Sequence, residues 1–138
     1  MSASPQALEG AIRLSLVPGQ VVQEVGYDSD CDTDLRAGVV EILGMDLVDL
    51  DYDDVVDAAL LWFREEDGDL TDALVDAITP LADQGVVWLL TPKPGREGHV
   101  EPEDIAEAAQ TAGLRQTSTI SAGENWQGTR LVPPRAKR

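Results

Sequence analysis

The sequence has one cysteine, one histidine and, between Glu24 and Asp83, only two basic residues, Arg36 and Arg64. Each scarcity removes a class of function. Cys31 alone cannot form an internal disulfide, which agrees with a reducing compartment. With His99 as the sole histidine, a zinc site would need carboxylates for most of its ligands. The two bases of that central stretch face nineteen acids, and the whole chain carries a formal charge of -16. A field of this sign repels phosphate backbones and anionic lipid, which disfavours direct nucleic-acid and membrane binding. It attracts basic proteins or metal cations, or simply gives a soluble acidic surface. No run approaches the roughly 20 apolar residues needed to cross a bilayer, and MSASPQALEG lacks a basic and then an apolar leader region, so a cytoplasmic location is the default expectation. GxSxG and P-loop spacings are absent as well. Carboxylate pairs for acid-base work are so abundant that they carry no information.

The chain of 138 residues is 43% hydrophobic, enough for one core. We expect a single domain over residues 1–132 and a flexible basic tail at 133–138. Ser4 and Pro5 suit the start of a short helix that Pro18-Gly19 ends. Val21 to Val25 and Val55 to Phe63 are apolar runs of strand length, the second interrupted by Asp57. Between them, Asp32 or Thr33 can cap a helix carrying Leu35, Val39, Ile42 and Leu43, closed by Gly44. A short strand is expected near Leu47 to Leu50. From Asp69 the apolar positions recur at helical spacing as far as Leu81, with Gly85 as the stop and Pro80 loosening the last turn. Val86 to Leu90 is a third strand, and Pro102 and Gly113 bracket a third helix. Arg115–Ser121 and Trp126–Val132, joined by AGEN, make a closing hairpin. Short strands alternating with amphipathic helices predict an α/β fold: one mixed, mostly parallel sheet flanked by helices, Rossmann-like, with a C-terminal antiparallel hairpin. Ligands of such sheets sit outside the carboxyl ends of the strands.

LVPGQVVQEVG resembles the lead-in to the first strand of class I S-adenosylmethionine-dependent methyltransferases, and the order of elements from Val55 is similar to the second half of that fold. LLTPKPG through SAGENWQGTRLV resembles a bacterial domain-of-unknown-function family, number three thousand and fifty-two, over nearly the whole chain. The resemblance implies a compact methyltransferase-like architecture and leaves activity open. It also departs from the pattern. Where the methyltransferases continue with glycines that let backbone approach the cofactor, Gly26 is followed here by Tyr27, Asp28, Ser29 and Asp30. The segment between Gly44 and Val55 is short for the strand and helix that present the ribose-binding acid. No cofactor is therefore expected.

The stretch GYDSDCDTDLR has two readings. Its acids suit a capped helix start, each complementing the dipole by about 0.3–1 kcal/mol. Alternatively Asp30, Asp32, Asp34 and Glu41 fall at the first, third, fifth and twelfth positions of a calcium loop, although Leu35 takes the place of the required glycine. Cys31 between two aspartates should hold its proton. Arg64 and Lys93 fall beyond the second and third strands, where they would hold a small anion or pair with acids such as Glu65 or Asp28. Trp62 and Trp88 read as core; Trp126 reads as a lid over the sheet end or an anchor for a partner. Gly26, Tyr27, Arg64, Lys93 and Trp126 are thus the ligand or partner candidates. The function expected is a non-catalytic acidic protein-interaction or regulatory module that recruits a basic protein. The alternative is a small-molecule sensor or methyltransferase-related enzyme using the crevice at the strand ends. Oligomeric state is left open.

Overall fold

The apolar runs of the sequence become the strands of one sheet because their residues are covered on both faces. The structure, a computed structural model, describes residues 10–133. Its strands are β1 (Val22–Val25), β2 (Val56–Trp62), β3 (Leu81–Pro92), β4 (Arg115–Ser121) and β5 (Trp126–Val132), in the order β1-β2-β3-β5-β4. β1, β2 and β3 run parallel, and β5 lies antiparallel between β3 and β4. Among the described residues three α-helices of more than one turn pack on it: α1 (Thr33–Leu43), α2 (Leu70–Ile78) and α3 (Pro102–Thr111). Alternation along β2 sends Ala58, Leu60 and Trp62 toward α1, where they meet Leu35, Val39 and Leu43. Ala59, Leu61 and Phe63 go to the other face, against Leu70 and Leu74 of α2 and Ile105 and Ala109 of α3. Burial of each leucine, isoleucine, valine or phenylalanine among them contributes about 1.5–3 kcal/mol.

Local chemistry sets the ends of these elements. The Asp32 carboxylate accepts the Leu35 N–H at 2.8 Å to cap α1, and Gly44, at φ 77°, closes it in the left-handed conformation. Asp69 caps α2 by accepting the Asp72 N–H. Asp57, the polar interruption of the second apolar run, accepts the Val21 N–H at 2.8 Å and so anchors the start of β1. Buried Gln23 donates its amide to the Asp49 carbonyl. Buried polar atoms are tolerated in such a sheet because they are hydrogen-bonded.

Three expectations need correction. α2 stops at Ile78 instead of reaching Gly85, because Pro80 has no N–H to give the helix. β3 then starts at Leu81, five residues earlier than Val86: Leu81 pairs with Val56, the register shifts, and regular pairing resumes at Val86 with Ala58. The strand expected at Leu47–Leu50 shrinks to one bridge, Val48 with Gln23. There the chain turns away as Asp49 accepts the Asp51 N–H on its side chain and the Tyr52 N–H on its carbonyl. The N-terminal helix cap at Ser4 and Pro5 lies outside the described residues, as does the tail beyond Pro133; Gly10–Ile12 form a helical turn. Among the described residues no helix is long and apolar enough to cross a membrane.

The parallel strands leave their carboxyl ends, Val25, Trp62 and Pro92, on one side of the sheet, where the loop between β4 and β5 also lies. Near that end the Thr91 hydroxyl is fully buried with no hydrogen-bond partner among the described residues. An unsatisfied buried hydroxyl costs about 1–3 kcal/mol. Thr91→Val, close in shape, is therefore expected to raise the denaturant midpoint, by about 1 kcal/mol in stability; equilibrium urea unfolding of the two proteins checks this.

Candidate functional site

β1 and β2 finish so close together that the residue after β1 must be glycine. Gly26 has φ 83°, and a Cβ there would strike the backbone carbonyl of Trp62. Two residues beyond Trp62, Arg64 turns its side chain back over this junction and is buried, at 6% relative exposure. Its Nη1 donates to the Gly26 carbonyl at 2.8 Å and, at 3.4 Å, to that of Trp62. Asp30 meets the guanidinium edge-on, Nε to Oδ2 at 3.0 Å and Nη2 to Oδ1 at 2.6 Å, a bidentate pair. Asp67 accepts both Nη1 and the Arg64 backbone N–H on one oxygen. Trp126 lies under the guanidinium, 5.2 Å from carbon to ring centroid, and its indole N–H donates to the Asp30 carbonyl. Gly98 closes the far side, where a Cβ would come within 3.1 Å of the Arg64 Cβ.

A second clamp stands beside the first. Glu24 of β1, its side chain only 7% exposed, accepts Arg36 Nε at 2.7 Å and the Trp62 indole N–H at 3.0 Å. Arg36 in turn stacks on the ring of Tyr27 at 4.6 Å. Trp62 and Trp126 meet edge to face, with centroids 4.9 Å apart. The two bases of the acid-rich stretch thus each have a carboxylate partner, one of which comes from the loop after β1 and the other from β1 itself.

The electrostatics follow from these contacts. The hydrogen bonds from Arg64 hold the Asp30 carboxyl below the usual carboxylate range. Burial works against the charge on Arg64, but the hydrogen bonds to Asp30 and Asp67 outweigh it, and its proton is held more tightly than usual. The bond to Glu24 does the same for Arg36. Cys31 is buried and receives N–H groups from Asp28 and from Arg64 Nη2, each at 3.2 Å. Its thiol is pushed up as expected, but mainly by burial; the charge of Asp30 is a lesser cause.

Of the residues singled out in the sequence, Gly26, Tyr27, Arg64 and Trp126 come together. Lys93 does not join them: its backbone N–H binds the Asn125 carbonyl at the sheet end, and it makes no ion pair among the described residues. The partners of Arg64 are Asp30 and Asp67, in place of Glu65 and Asp28. The four calcium-loop positions separate. Both oxygens of Asp30 serve Arg64, while Asp32 caps α1 and also accepts the Glu124 N–H. Asp34 and Glu41 sit exposed along α1. No group of three potential metal ligands forms among the described residues. Sequence reasoning passed over Glu24 and Asp67. Glu24 had a signal, since an acid inside a buried strand must find a cation.

What the clamp leaves open is a cavity of about 330 Å³ on the α2 side of the junction. Val25, Leu61, Phe63 and Ala73 give it apolar walls, with Tyr27, Asp28 and Asp67 among its polar lining.

A family model described as "Protein of unknown function (DUF3052)" matches residues 11–135. An uncharacterised protein of Mycobacterium tuberculosis is 50% identical over 135 residues, covering 98% of this chain and 85% of that one; an uncharacterised protein of Mycobacterium bovis matches equally. Among solved structures, the pyocyanin biosynthetic protein PhzM superposes with a TM-score of 0.64 at 14% identity over 93% of this chain. Mitomycin 7-O-methyltransferase MmcR gives 0.62 at 12% identity over 94%. The chain spans 54% of each of those two proteins. A SAM-dependent methyltransferase of Aquifex aeolicus is covered more fully, 94% of both chains, with a TM-score of 0.54 and 15% identity. At these identities the likeness is one of fold.

Two outcomes follow from the clamp. Gly26→Ala is expected to destabilise the fold by about 2 kcal/mol or more, combining a disfavoured positive φ with the collision on Trp62; thermal unfolding measures it. Because the folded-state pKa of Asp30 lies below its ordinary value of 3.8, the stability it confers is fully present above about pH 4 and is lost as pH falls through the folded value. Asp30→Asn should therefore cost about 1–2 kcal/mol at neutral pH, the half-exposed carboxylate being partly screened by solvent. The difference from the unsubstituted protein should shrink below about pH 4, as read from urea midpoints across that range.

Proposed function

The chain belongs to the DUF3052 family, and on that premise we propose that it is a non-catalytic protein-interaction or regulatory module, built on a methyltransferase-like scaffold and presenting an acidic face to a basic partner. The observation that carries this reading is the occupation of the strand-end crevice by Arg64 and its partners. Neighbours in fold include a methyltransferase described as SAM-dependent, which sets that cofactor against the residues here. They do not fit it. The approach beyond Gly26 is taken by the guanidinium bound to Gly26 O and Asp30, and the following loop adds Tyr27 and Asp28. The segment from Gly44 to Val56 offers only one bridge to the sheet and no helix from which a ribose-binding acid would project. Filling the site with nucleoside would mean removing a buried, doubly paired arginine from its partners, a loss of several kcal/mol.

Charge supports the interaction reading. Asp46, Asp49, Asp51, Asp53 and Asp54 are all exposed around the short bridge, interspersed with exposed Met45, Leu50 and Val55. An acidic surface with apolar contacts suits a basic, partly apolar segment of another protein. The cavity beside Tyr27 favours a second reading, a small-molecule sensor. A preference for protein over nucleic acid accords with a strongly anionic chain, and the proposal places that chain in the cytoplasm.

Thermal shift separates the readings, because a ligand at 100 times its dissociation constant stabilises by about 2.7 kcal/mol. Millimolar S-adenosylmethionine, S-adenosylhomocysteine and simple anions are expected to leave the melting temperature unchanged. A clear upward shift with either adenosyl compound would overturn the non-catalytic reading. Binding of a hexalysine peptide, measured by fluorescence anisotropy, should be present at low salt and largely lost at about 0.5 M; no binding at low salt would remove the acidic-face reading.

A further inference from the structure

The cavity on the α2 side of the clamp combines features that a surface of scattered aspartates lacks. Its volume, about 330 Å³, stands at the lower end of the roughly 300–1,000 Å³ typical of small-molecule sites and leaves ample room for one long side chain. Val25, Leu61, Phe63 and Ala73 supply an apolar wall. Asp28 and Asp67 line the same space, and each keeps an oxygen without a hydrogen bond among the described residues: Asp28 Oδ1 takes the Ser29 N–H, and Asp67 Oδ2 takes Arg64. The cation already in the wall, Arg64, is neutralised by Asp30 and Asp67 and so offers little to an anion. Tyr27, half-exposed, is held from one face by Arg36, whose own charge is bound to Glu24.

We propose that this cavity receives a lysine or arginine side chain from the basic partner, with its alkyl stem against Val25, Leu61 and Ala73 and its cationic head between Asp28 and Asp67. The inference rests on the interaction reading above and gives it a location. An aliphatic stem lying on apolar surface with a charged head at a polar rim is the arrangement that long basic side chains adopt at protein surfaces. Carboxylates with an uncommitted oxygen can accept the N–H donors of that head. Such a seated side chain sets the register of a basic segment, whereas the outlying aspartates of residues 46–54 would add only salt-sensitive attraction.

The test uses the full chain with two probes, N-acetyl-lysinamide and a hexalysine peptide, following backbone amide shifts by NMR and affinity by anisotropy. With the small probe, the shifted amides should centre on Tyr27, Asp28, Asp67 and Ala73, leaving residues 46–54 unmoved. Ala73→Leu, which fills the cavity and removes no charge, and Asp28→Asn, which removes one rim charge and leaves the cavity open, should each weaken hexalysine binding by about fivefold or more. Asp51→Asn, an equal loss of charge at an exposed position outside the cavity, should change it less than about twofold. Amide shifts spread along residues 46–54, or Ala73→Leu and Asp28→Asn binding no more weakly than Asp51→Asn, overturn the cavity assignment and leave the acidic face standing. Failure of the unsubstituted protein to bind hexalysine at all overturns both. Should Ala73→Leu fold poorly, Asp28→Asn against Asp51→Asn decides alone.

Discussion

A single guanidinium, buried where two parallel strands end, organises the part of this molecule in which sheets of its kind hold ligands. A charge removed from water must find partners nearby or cost several kcal/mol, and Arg64 finds three of them on two segments: the Gly26 carbonyl and the Asp30 carboxylate of the loop after β1, and Asp67 in its own turn. The loop is therefore held against the sheet by a charge inside it. Gly26, Trp126 and Cys31 take their positions from the same group.

That arrangement explains how an acidic chain tolerates so many aspartates at a helix start. Asp30 is spent on Arg64 and Asp32 on the cap of α1, while Asp28 and Asp34 remain in solvent. Residues that looked alike in sequence, an acid at every second position, serve unlike ends because the loop turns each toward a different neighbour. Their common charge still matters collectively. It gives the face around the cavity one sign, while bases are confined to paired positions over most of the same stretch.

Most of the fold was legible. The closing hairpin has the expected bounds, and the strands and helices centre on the expected apolar runs, because burial on both faces writes itself as continuous hydrophobicity and helical packing as a period near 3.6. The failures have local causes. Pro80 ended α2 early, and the ladder of β3 reached back past Gly85 through a register shift that no pattern of residue types announces. The site was legible in membership more than in wiring. Gly26, Tyr27, Arg64 and Trp126 were marked by position after strands and by rarity, yet which aspartate meets Arg64 depends on loop geometry. Lys93 shares with Arg64 a position after a strand but not its contacts: its backbone N–H binds the Asn125 carbonyl, and it forms no ion pair among the described residues.

The aromatic arrangement makes the clamp observable. Of the three tryptophans, Trp88 is tied to the Leu14 carbonyl within the core on the α1 side, whereas Trp62 and Trp126 are stacked edge to face, one bonded to Glu24 and the other beneath Arg64. Two of the chain's three indoles therefore report on one cluster of charges. Any event that loosens the loop after β1 alters their polarity and mutual orientation together, so the intrinsic emission spectrum of the protein is a built-in gauge of whether the strand-end junction is shut.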